Sequence, residues 1–183
     1  MKDTDDFVTE LEALYLAKGT ARYGLEDISQ LQHALQTAAL AEAAHEPPPM
    51  VLAALLHDVG HMLSKLGENP ADEGIDNAHE KIGAGWLKKR LGSEISEPVR
   101  LHVPAKRYLC ATEAAYTTSL ALDSIRSLAL QGGPMTEREI SAFLDEPAAQ
   151  AAIRLRRYDD LAKDPAATSP GLAHFLVYLD KLA

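Results

Sequence analysis

The residues of this sequence best suited to chemistry lie together in an apolar segment, AALLHDVGH, at residues 53–61. His57 and Asp58 are adjacent there, and His61 follows four residues after His57. An imidazole and a carboxylate buried without partners are costly, and a metal ion would offset that cost directly. A buried imidazole–carboxylate pair without a metal would also explain the dipeptide, so these residues alone leave both interpretations open.

Further histidines and a second aspartate favour the metal interpretation. They are His33, His79, His102 and Asp159. Each of them alone is more often an ordinary core or surface residue. Together with the first group they offer imidazole and carboxylate, a ligand set suited to Fe, Mn, Zn or Ni. The single cysteine, Cys110, excludes a cysteine-built zinc site and an internal disulfide framework.

Helices must position these groups, because alanine and leucine are abundant and apolar residues recur at three- and four-residue steps. We therefore predict an all-α fold. The expected helices span 4–18, 29–46, 50–66, 78–91, 94–103, 111–118, 120–131, 136–145, 148–162 and 171–182.

The segment 50–66 is predicted to be the buried central helix, since its first half is apolar on nearly every side. On one continuous helix His57 and His61 would face the same cavity. The Pro47-Pro48-Pro49 run is expected to stop the helix before it, and the polar segment 67–77 is expected to form a loop.

Length and charge limit the classes of function. With 183 residues and no repeat or linker, the chain is expected to form one domain, residues 1–183. A formal net charge of -9 disfavours nucleic acid and anionic membranes as partners. No apolar run approaches the about 20 residues that span a bilayer, and no basic-then-apolar segment opens the chain, so we expect a cytoplasmic protein. The sequence gives no prediction of oligomeric state.

The metal pattern carries a family resemblance. His33, His57-Asp58 and Asp159 match the H…HD…D pattern of the HD superfamily, and His79 and His102 match its two-metal members. More narrowly, the segments YGLEDISQLQHALQTA, LAALLHDVGH, AHEKIGA, HVPAKRYL and LQGGPM resemble the 2-amino-1-hydroxyethylphosphonate dioxygenases. The resemblance covers about residues 15–165 and implies a compact single-domain helical bundle of the HD-domain type.

The resemblance implies a cofactor of two iron ions in a mixed-valent Fe(II)/Fe(III) state, with O₂ as co-substrate. One iron would be held by His33, His57, Asp58 and Asp159, and the other by Asp58, His79 and His102. Asp58 would bridge the two ions, which suits a carboxylate because its two oxygens can each bind a cation.

Several further positions match those that bind the phosphonate in the same family. They are His61, Lys106, Ser124, Ser127, Gln131 and Arg156. Ser124 and Ser127 are three residues apart and so share a helix face. The sequence around Gln131 is also typical of a helix end and turn. The neighbouring cations Arg107, Arg154 and Arg157 are interpreted as solvated charges.

Tyr23 and Glu26 match a lid in that family, in which the tyrosine can occupy an iron site until substrate displaces it. The resemblance therefore gives catalytic roles to Tyr23, Glu26 and His61. Carboxylates and aromatic faces near the lid would receive the cationic amine of a substrate. A solvated loop is the structural alternative for this segment.

The resemblance implies oxidative C–P cleavage of a 1-hydroxy-2-aminoethylphosphonate or its trimethylammonio analogue, giving phosphate with glycine or glycine betaine. The sequence does not fix the methylation state of the amine. The main alternative is an HD-type metal-dependent phosphohydrolase acting on a nucleotide or phosphomonoester, which would use a metal-activated hydroxide. A non-catalytic helical module is the third hypothesis, and an intact set of buried ionisable residues argues against it.

Overall fold

The computed structural model describes residues 2–64 and 78–182, with side chains described from Asp6 onward. Within these ranges the chain forms helices and no strand, and Arg22 and Ser29 form an isolated antiparallel bridge. The prediction of an all-α fold is confirmed. The helices are α1 (Lys2–Lys18), α2 (Gln30–Ala43), α3 (Pro48–Leu56), α4 (Val59–Leu63), α5 (His79–Leu91), α6 (Ser93–Thr112), α7 (Ala114–Ser119), α8 (Leu122–Leu130), α9 (Glu137–Leu144), α10 (Ala149–Leu161), α11 (Leu172–Leu176) and a 3₁₀ helix at Val177–Lys181.

The central helix is α3, and every residue from Met50 to Leu56 is buried. It packs against α2, α6, α10 and α11. Apolar residues surround it on all sides, as the continuous apolar run in its sequence predicts. This burial fixes the position of the His57-Asp58 pair, which directly follows the helix.

The predicted single helix at 50–66 was wrong, because the chain leaves the helical conformation after Leu56. Asp58 has φ -100° and ψ 9°, and α4 begins only at Val59. The break lets α4 pack closely on α5, where a Cβ on Gly60 would overlap the carbonyl oxygen of His79. Residues 65–66, at the end of the predicted helix, and the predicted loop at 67–77 lie outside the described residues.

The proline run begins a helix as well as following one. α2 ends at Ala43, and Pro48 and Pro49 form the first turn of α3. Proline is tolerated there because the N–H groups of a first helical turn have no partner within the helix. The boundary of the central helix therefore lies two residues earlier than predicted.

α6 is longer than predicted, since it runs unbroken from Ser93 to Thr112 instead of ending near residue 103. Pro98 and Pro104 lie inside it. Its buried face packs against α3, α5 and α10, and this packing outweighs the two missing backbone hydrogen bonds. In contrast to α6, the predicted helix at 171–182 is divided into two shorter elements, α11 and the 3₁₀ helix.

Local sequence signals explain two helix starts that matter for the site. Ser29 caps α2 in a capping box with Gln32, and Thr136 caps α9 in the same way with Glu139. The α2 cap sets the start of the helix that carries His33. Among the described residues, no helix combines the length and apolar character required to cross a membrane.

Candidate metal centre

His33 on α2 and His57 after α3 point the same ring nitrogen at each other. The Nδ1 of His33 lies 2.8 Å from the carbonyl oxygen of Ala162, and the Nδ1 of His57 lies 2.9 Å from that of Ala54. Because a carbonyl oxygen only accepts, each Nδ1 carries a proton, so Nε2 is the nitrogen that offers a lone pair when the ring is neutral. The two Nε2 atoms are 3.1 Å apart. Two acceptors at this distance are stabilised by a shared cation.

His79 and His102 form a second pair of the same kind. Their Nε2 atoms are also 3.1 Å apart, and the Nδ1 of His102 lies 2.7 Å from the carbonyl oxygen of Val99. His79 opens α5 and His102 lies in the middle of α6, so the packing of these two helices forms the pair. Both imidazoles are almost fully buried.

Asp58 lies between the two imidazole pairs, with one carboxylate oxygen facing each. Its Oδ2 is 3.6 Å from the Nε2 of His33 and 3.4 Å from that of His57. Its Oδ1 is 3.3 Å from the Nε2 of His79 and 3.6 Å from that of His102. This arrangement is the geometry of a carboxylate that bridges two neighbouring cation sites.

Asp159 on α10 adds a second carboxylate to the group formed by His33, His57 and Asp58. Its Oδ1 lies 3.3 Å from the Nε2 of His33, and this buried oxygen accepts no hydrogen bond among the described residues. Its Oδ2 forms a salt bridge with the Nη1 of Arg156 over 2.8 Å, and this contact fixes the direction of the carboxylate. A buried oxygen without a donor is costly unless a cation binds it.

His61 lies next to the second group. Its ring stacks on that of His79 with centroids 3.9 Å apart, and its Nε2 is 3.9 Å from Oδ1 of Asp58. Asp58, His61 and His79 together offer ligand atoms close enough to hold one ion, as do His33, His57 and Asp58. Burial, and then the neighbouring imidazole of His79, lower the pKa of His61 to about 3.

The electrostatics of the cluster favour a bound positive charge. Burial alone would lower the pKa of His57, but the carboxylate of Asp58 raises it to about 9. Burial would raise the pKa of Asp58, and His57 and His79 instead hold it well below its usual range. The charge of Arg156 similarly holds the pKa of Asp159 low against the effect of burial. The carboxylates therefore stay ionised in a buried site.

A metal fits this donor set. The Nε2 atoms of both imidazole pairs point into one interior space. The two oxygens of Asp58 and the Oδ1 of Asp159, which accepts no hydrogen bond among the described residues, face the same space. A metal–imidazole bond of about 2.1 Å places two ligand nitrogens at right angles about 3 Å apart, close to the spacing of both pairs. Nitrogen and oxygen ligands without thiolate suit iron and similar transition metals.

Hydroxyl and cationic groups from α6, α8 and α10 lie close together. Lys106 is 2% exposed, and its Nζ donates to the Oγ of Ser127 over 2.7 Å. Arg156 is 4% exposed and donates to the Oγ of Ser124 over 3.2 Å. Burial, and then the charge of Arg156, lower the pKa of Lys106 to about 7. The structure thus brings together four of the predicted phosphonate-binding residues.

Arg156 has more partners than the sequence predicted. Besides Asp159 and Ser124, its guanidinium donates to the carboxylate of Asp160 and to the Tyr116 hydroxyl, and that hydroxyl also donates to Asp160. Sequence reasoning missed Asp160 and Tyr116. The i, i+4 spacing of Arg156 and Asp160 was a readable signal for the first, whereas Tyr116 joins only through tertiary packing.

Gln36 is a second residue that the sequence did not single out. Its side-chain amide donates to the carbonyl oxygen of Asp164 over 2.8 Å and accepts from the Asp164 N–H over 3.2 Å. These bonds hold the segment after α10 against α2, where Ala162 fixes the ring of His33. Nothing in the local sequence distinguishes this glutamine from others on a helix.

Tyr23 is half-buried and lies against the cluster. Its ring stacks on His33 with centroids 3.8 Å apart and an interplanar angle of 15°. Burial raises its pKa well above the ordinary value, and the charge of Asp58 and a hydrogen bond to that carboxylate act in the same direction. Glu26 belongs to the same turn, where its main-chain N–H donates to the Tyr23 carbonyl over 3.0 Å.

The remaining candidates lie near these elements. Gln131 follows α8 as its C-cap, and its Oε1 is buried with no hydrogen-bond partner among the described residues. Arg107, Arg154 and Arg157 pair with Glu139, Glu46 and Glu113 respectively. Arg154 and Arg157 are exposed, as predicted for solvated charges, whereas Arg107 is partly buried and also donates to the carbonyl oxygen of Gly133.

Comparison with known proteins gives a consistent set of relatives. The HD domain family model matches residues 31–144. A hydroxymethylphosphonate dioxygenase of Gimesia maris is 42% identical over 175 residues, covering 95% of this chain and 87% of the relative. The glycine-betaine-forming [1-hydroxy-2-(trimethylamino)ethyl]phosphonate dioxygenase of Leisingera caerulea is 36% identical over 177 residues, covering 97% and 90%. An uncharacterised protein of Acanthamoeba polyphaga mimivirus is 34% identical over 157 residues, covering 82% and 69%.

Proposed function

The chain belongs to the HD-domain family, in its group of phosphonate dioxygenases, and from this membership we propose that it cleaves the C–P bond of a small 1-hydroxyphosphonate with O₂. The protein is a dioxygenase. The observation that best supports the proposal is the position of Asp58, whose two oxygens face two separate imidazole pairs. A site for a single metal would have no need of the second pair.

We propose a cofactor of two iron ions in a mixed-valent state. His33, His57, Asp58 and Asp159 would hold one ion, and Asp58, His79 and His102 would hold the other. Such a pair, when bound, supplies O₂ activation and polarises substrate oxygen atoms. The protein supplies ligand orientation through the carbonyl oxygens of Ala54, Val99 and Ala162, which fix the imidazole tautomers.

The group formed by Lys106, Ser124, Ser127 and Arg156 would bind the phosphonate. Lys106 and the serine hydroxyls can each turn a donor toward an anion. A phosphonate dianion would also restore the proton on Lys106, whose pKa is near 7 in its buried position. Arg156 already donates to two aspartates, so its main contribution would be charge and the orientation of Asp159.

His61 would contact substrate beside the second ligand group. Its low pKa keeps the imidazole neutral at pH 7, so the ring offers one donor and one acceptor. Gln131 has a buried amide oxygen that lacks a donor, which a substrate hydroxyl or ammonium group would supply. Both assignments agree with the positions that these residues occupy in the resembling family.

The proposed substrate carries an amine, because Glu26 and Tyr23 offer a carboxylate and an aromatic face on the loop that covers the cluster. A quaternary ammonium would rest on the aromatic face, and a primary ammonium would seek the carboxylate. The relative from Gimesia maris is named for hydroxymethylphosphonate, which makes this amine-free compound the second candidate substrate.

Turnover assays distinguish these substrates. The enzyme, purified with iron under reducing conditions, would be given 1-hydroxy-2-aminoethylphosphonate, its trimethylammonio analogue or hydroxymethylphosphonate. We expect O₂ consumption and phosphate release in equal amounts, since one oxygen atom enters the phosphate and the other the carboxyl product: glycine, glycine betaine or formate. The substrate with the highest kcat/KM identifies the natural class.

The same assay tests the rival function. A phosphohydrolase would release phosphate from a generic phosphomonoester without consuming O₂. Phosphate release that is unaffected by removing oxygen would refute the dioxygenase proposal. A requirement for O₂ with no activity on the monoester would exclude the rival.

Metal counting tests the assignment of ligands. Asp58→Ala should lose both irons, whereas Asp159→Ala and His102→Ala should each lose one, because they belong to different groups. Elemental analysis of the purified variants by mass spectrometry gives these ratios directly. Asp180→Ala, at an exposed carboxylate, is the control and should keep the wild-type iron content. Equal iron content in Asp58→Ala and Asp159→Ala would contradict a bridging role for Asp58.

A further inference from the structure

The loop that carries Tyr23 is fastened to α8 by a residue with no assigned role. The carboxylate of Asp123, in the first turn of α8, accepts a hydrogen bond from the main-chain N–H of Leu25. Gly24 has φ 54°, and a Cβ at this position would overlap the same carboxylate. Glycine at position 24 therefore suits both the positive φ and the present position of the Asp123 carboxylate, which any larger residue would push aside.

The loop is held as one unit. Arg22 donates from Nε to the carbonyl oxygen of Glu26 over 3.0 Å and from Nη2 to that of Leu25 over 2.9 Å. At the start of the turn, the Tyr23 N–H donates to the Ile28 carbonyl over 2.8 Å. Because the turn is closed by these bonds, a tether at Leu25 also restrains Tyr23.

The restrained tyrosine lies on the metal-binding residues. Its ring covers His33 with centroids 3.8 Å apart, and it lies near enough to Asp58 for that carboxylate to raise the pKa of its hydroxyl, so it takes up the approach to this carboxylate. A substrate that reaches Asp58 from this side has to displace the tyrosine. Holding Tyr23 in this position therefore opposes entry of substrate, and the amine contacts proposed for Tyr23 and Glu26 form only after the ring has moved away from Asp58.

α8 carries both Asp123, which tethers the loop, and two of the residues proposed to bind the phosphonate. Ser124 and Ser127 follow Asp123 on the same short helix and contact Arg156 and Lys106. Apart from Ser124, Leu128 is the buried residue of α8, so polar contacts form much of the attachment of this helix. The tether of the loop and the donors for the anion thus lie on one lightly packed element.

We propose that Asp123 is a positioning residue that latches the Tyr23 loop to α8 and keeps Tyr23 over the metal ligands until substrate binds. The kinetic consequence rests on the proposed function, while the latch itself is a property of the fold. Removing the latch lowers the population of the covered state. The binding-competent fraction then rises, and the apparent dissociation constant of the substrate falls in proportion.

Amide hydrogen exchange at Leu25 tests the latch without any turnover. In Asp123→Ala the Leu25 N–H loses its acceptor, and its exchange should be at least about tenfold faster than in the wild type. Asp123→Asn retains an acceptor oxygen and should give a smaller increase. Gly24→Ala, which expels the carboxylate sterically, should resemble Asp123→Ala. The control Glu137→Ala removes an acidic side chain from the first turn of α9 and should leave Leu25 unchanged.

Steady-state kinetics test the coupling to substrate. Asp123→Ala should lower KM about threefold or more without raising kcat, the effect of a larger open population. A merely structural defect would raise KM or lower kcat with KM unchanged. The effect on KM should disappear in a Tyr23→Phe background if the hydroxyl is the group that the latch holds in place.

Each outcome is decisive. Wild-type exchange at Leu25 in Asp123→Ala would overturn the latch. Faster exchange with KM equal to or above that of the wild type would overturn its role in controlling substrate access. Failure of the wild-type enzyme to turn over any of the phosphonates would refute the proposed function, and the exchange experiment would still decide whether the latch exists.

Discussion

Asp58 joins two imidazole pairs that come from four parts of the chain. It lies two residues after α3, whose residues from Met50 to Leu56 are all buried, and its two oxygens face different imidazole pairs. A carboxylate in this setting is stable only when positive charge lies on both sides. The chemistry of the site is therefore organised by one side chain, whose neighbours supply orientation.

Lys106 is a residue whose proposed role in binding the phosphonate conflicts with the stability of the fold. Its pKa of about 7 is far below the ordinary 10.5 of a lysine, first because of burial and then because of Arg156. Between pH 7 and pH 10.5 the unfolded chain binds a proton that folded Lys106 has released. Stability contributed by this site therefore rises with pH through that window, and the full cost of burial is present below pH 7.

Replacing Lys106 by methionine should stabilise the fold at neutral pH and abolish phosphonate binding. We expect the Tm at pH 7 to rise by about 2–4 °C, and the gain to shrink at pH 9.5, because folded Lys106 has released its proton there and most of the cost of its burial is gone. Thermal unfolding followed by circular dichroism measures both values. Lys88→Met, at a surface lysine paired with Glu97, should show no such dependence on pH. A gain of equal size at both pH values would contradict the assignment.

At the scale of elements, the junction between α3 and α4 decides the geometry of the site. A continuous helix would have placed His57 and His61 one turn apart on one face. The break instead directs His57 toward His33 and His61 toward His79. Close packing of Gly60 on the start of α5 maintains this arrangement.

Two glycine substitutions separate packing from helix propensity. Gly60→Ala should destabilise the protein by about 1–3 kcal/mol, because a Cβ there overlaps the backbone of α5. Gly85→Ala, on the exposed side of α5 with no atom near its new Cβ, should instead stabilise by about 0.5–1 kcal/mol. Urea unfolding gives both values. If the two variants behaved alike, close contact between α4 and α5 would not be what positions His79.

For the whole molecule, the ligands link elements that are far apart in sequence. α2, the α3–α4 junction, α5, α6 and α10 each contribute at least one donor. A metal bound to these residues stabilises the folded state alone, since the unfolded chain has no assembled site. Its loss also leaves buried acceptors facing each other.

Removal of the metal should lower the Tm of the protein by about 5–15 °C. The measurement is differential scanning fluorimetry before and after chelation. Adding Fe(II) should restore the original value, whereas Mg²⁺ should not, because it prefers an all-oxygen shell. An unchanged Tm after complete removal of metal would mean that the cluster folds and persists without a cation.

The sequence by itself determined the helical fold and most of the candidate ligands. Apolar residues at three- and four-residue steps specify helices locally, and the types of His and Asp in an apolar setting specify metal chemistry. The family resemblance, and not spacing, singled out Lys106, Ser124 and Ser127, which the structure brings together with Arg156.

Tertiary structure alone decided how these groups are oriented. The break at Asp58 and the unbroken α6 through Pro98 and Pro104 depend on close packing between helices, which overrides local preference. Contacts such as Leu25 with Asp123 and Arg156 with Tyr116 join residues far apart in sequence. Local periodicity carries no information about such pairs, because only the packed arrangement of helices sets which side chains meet.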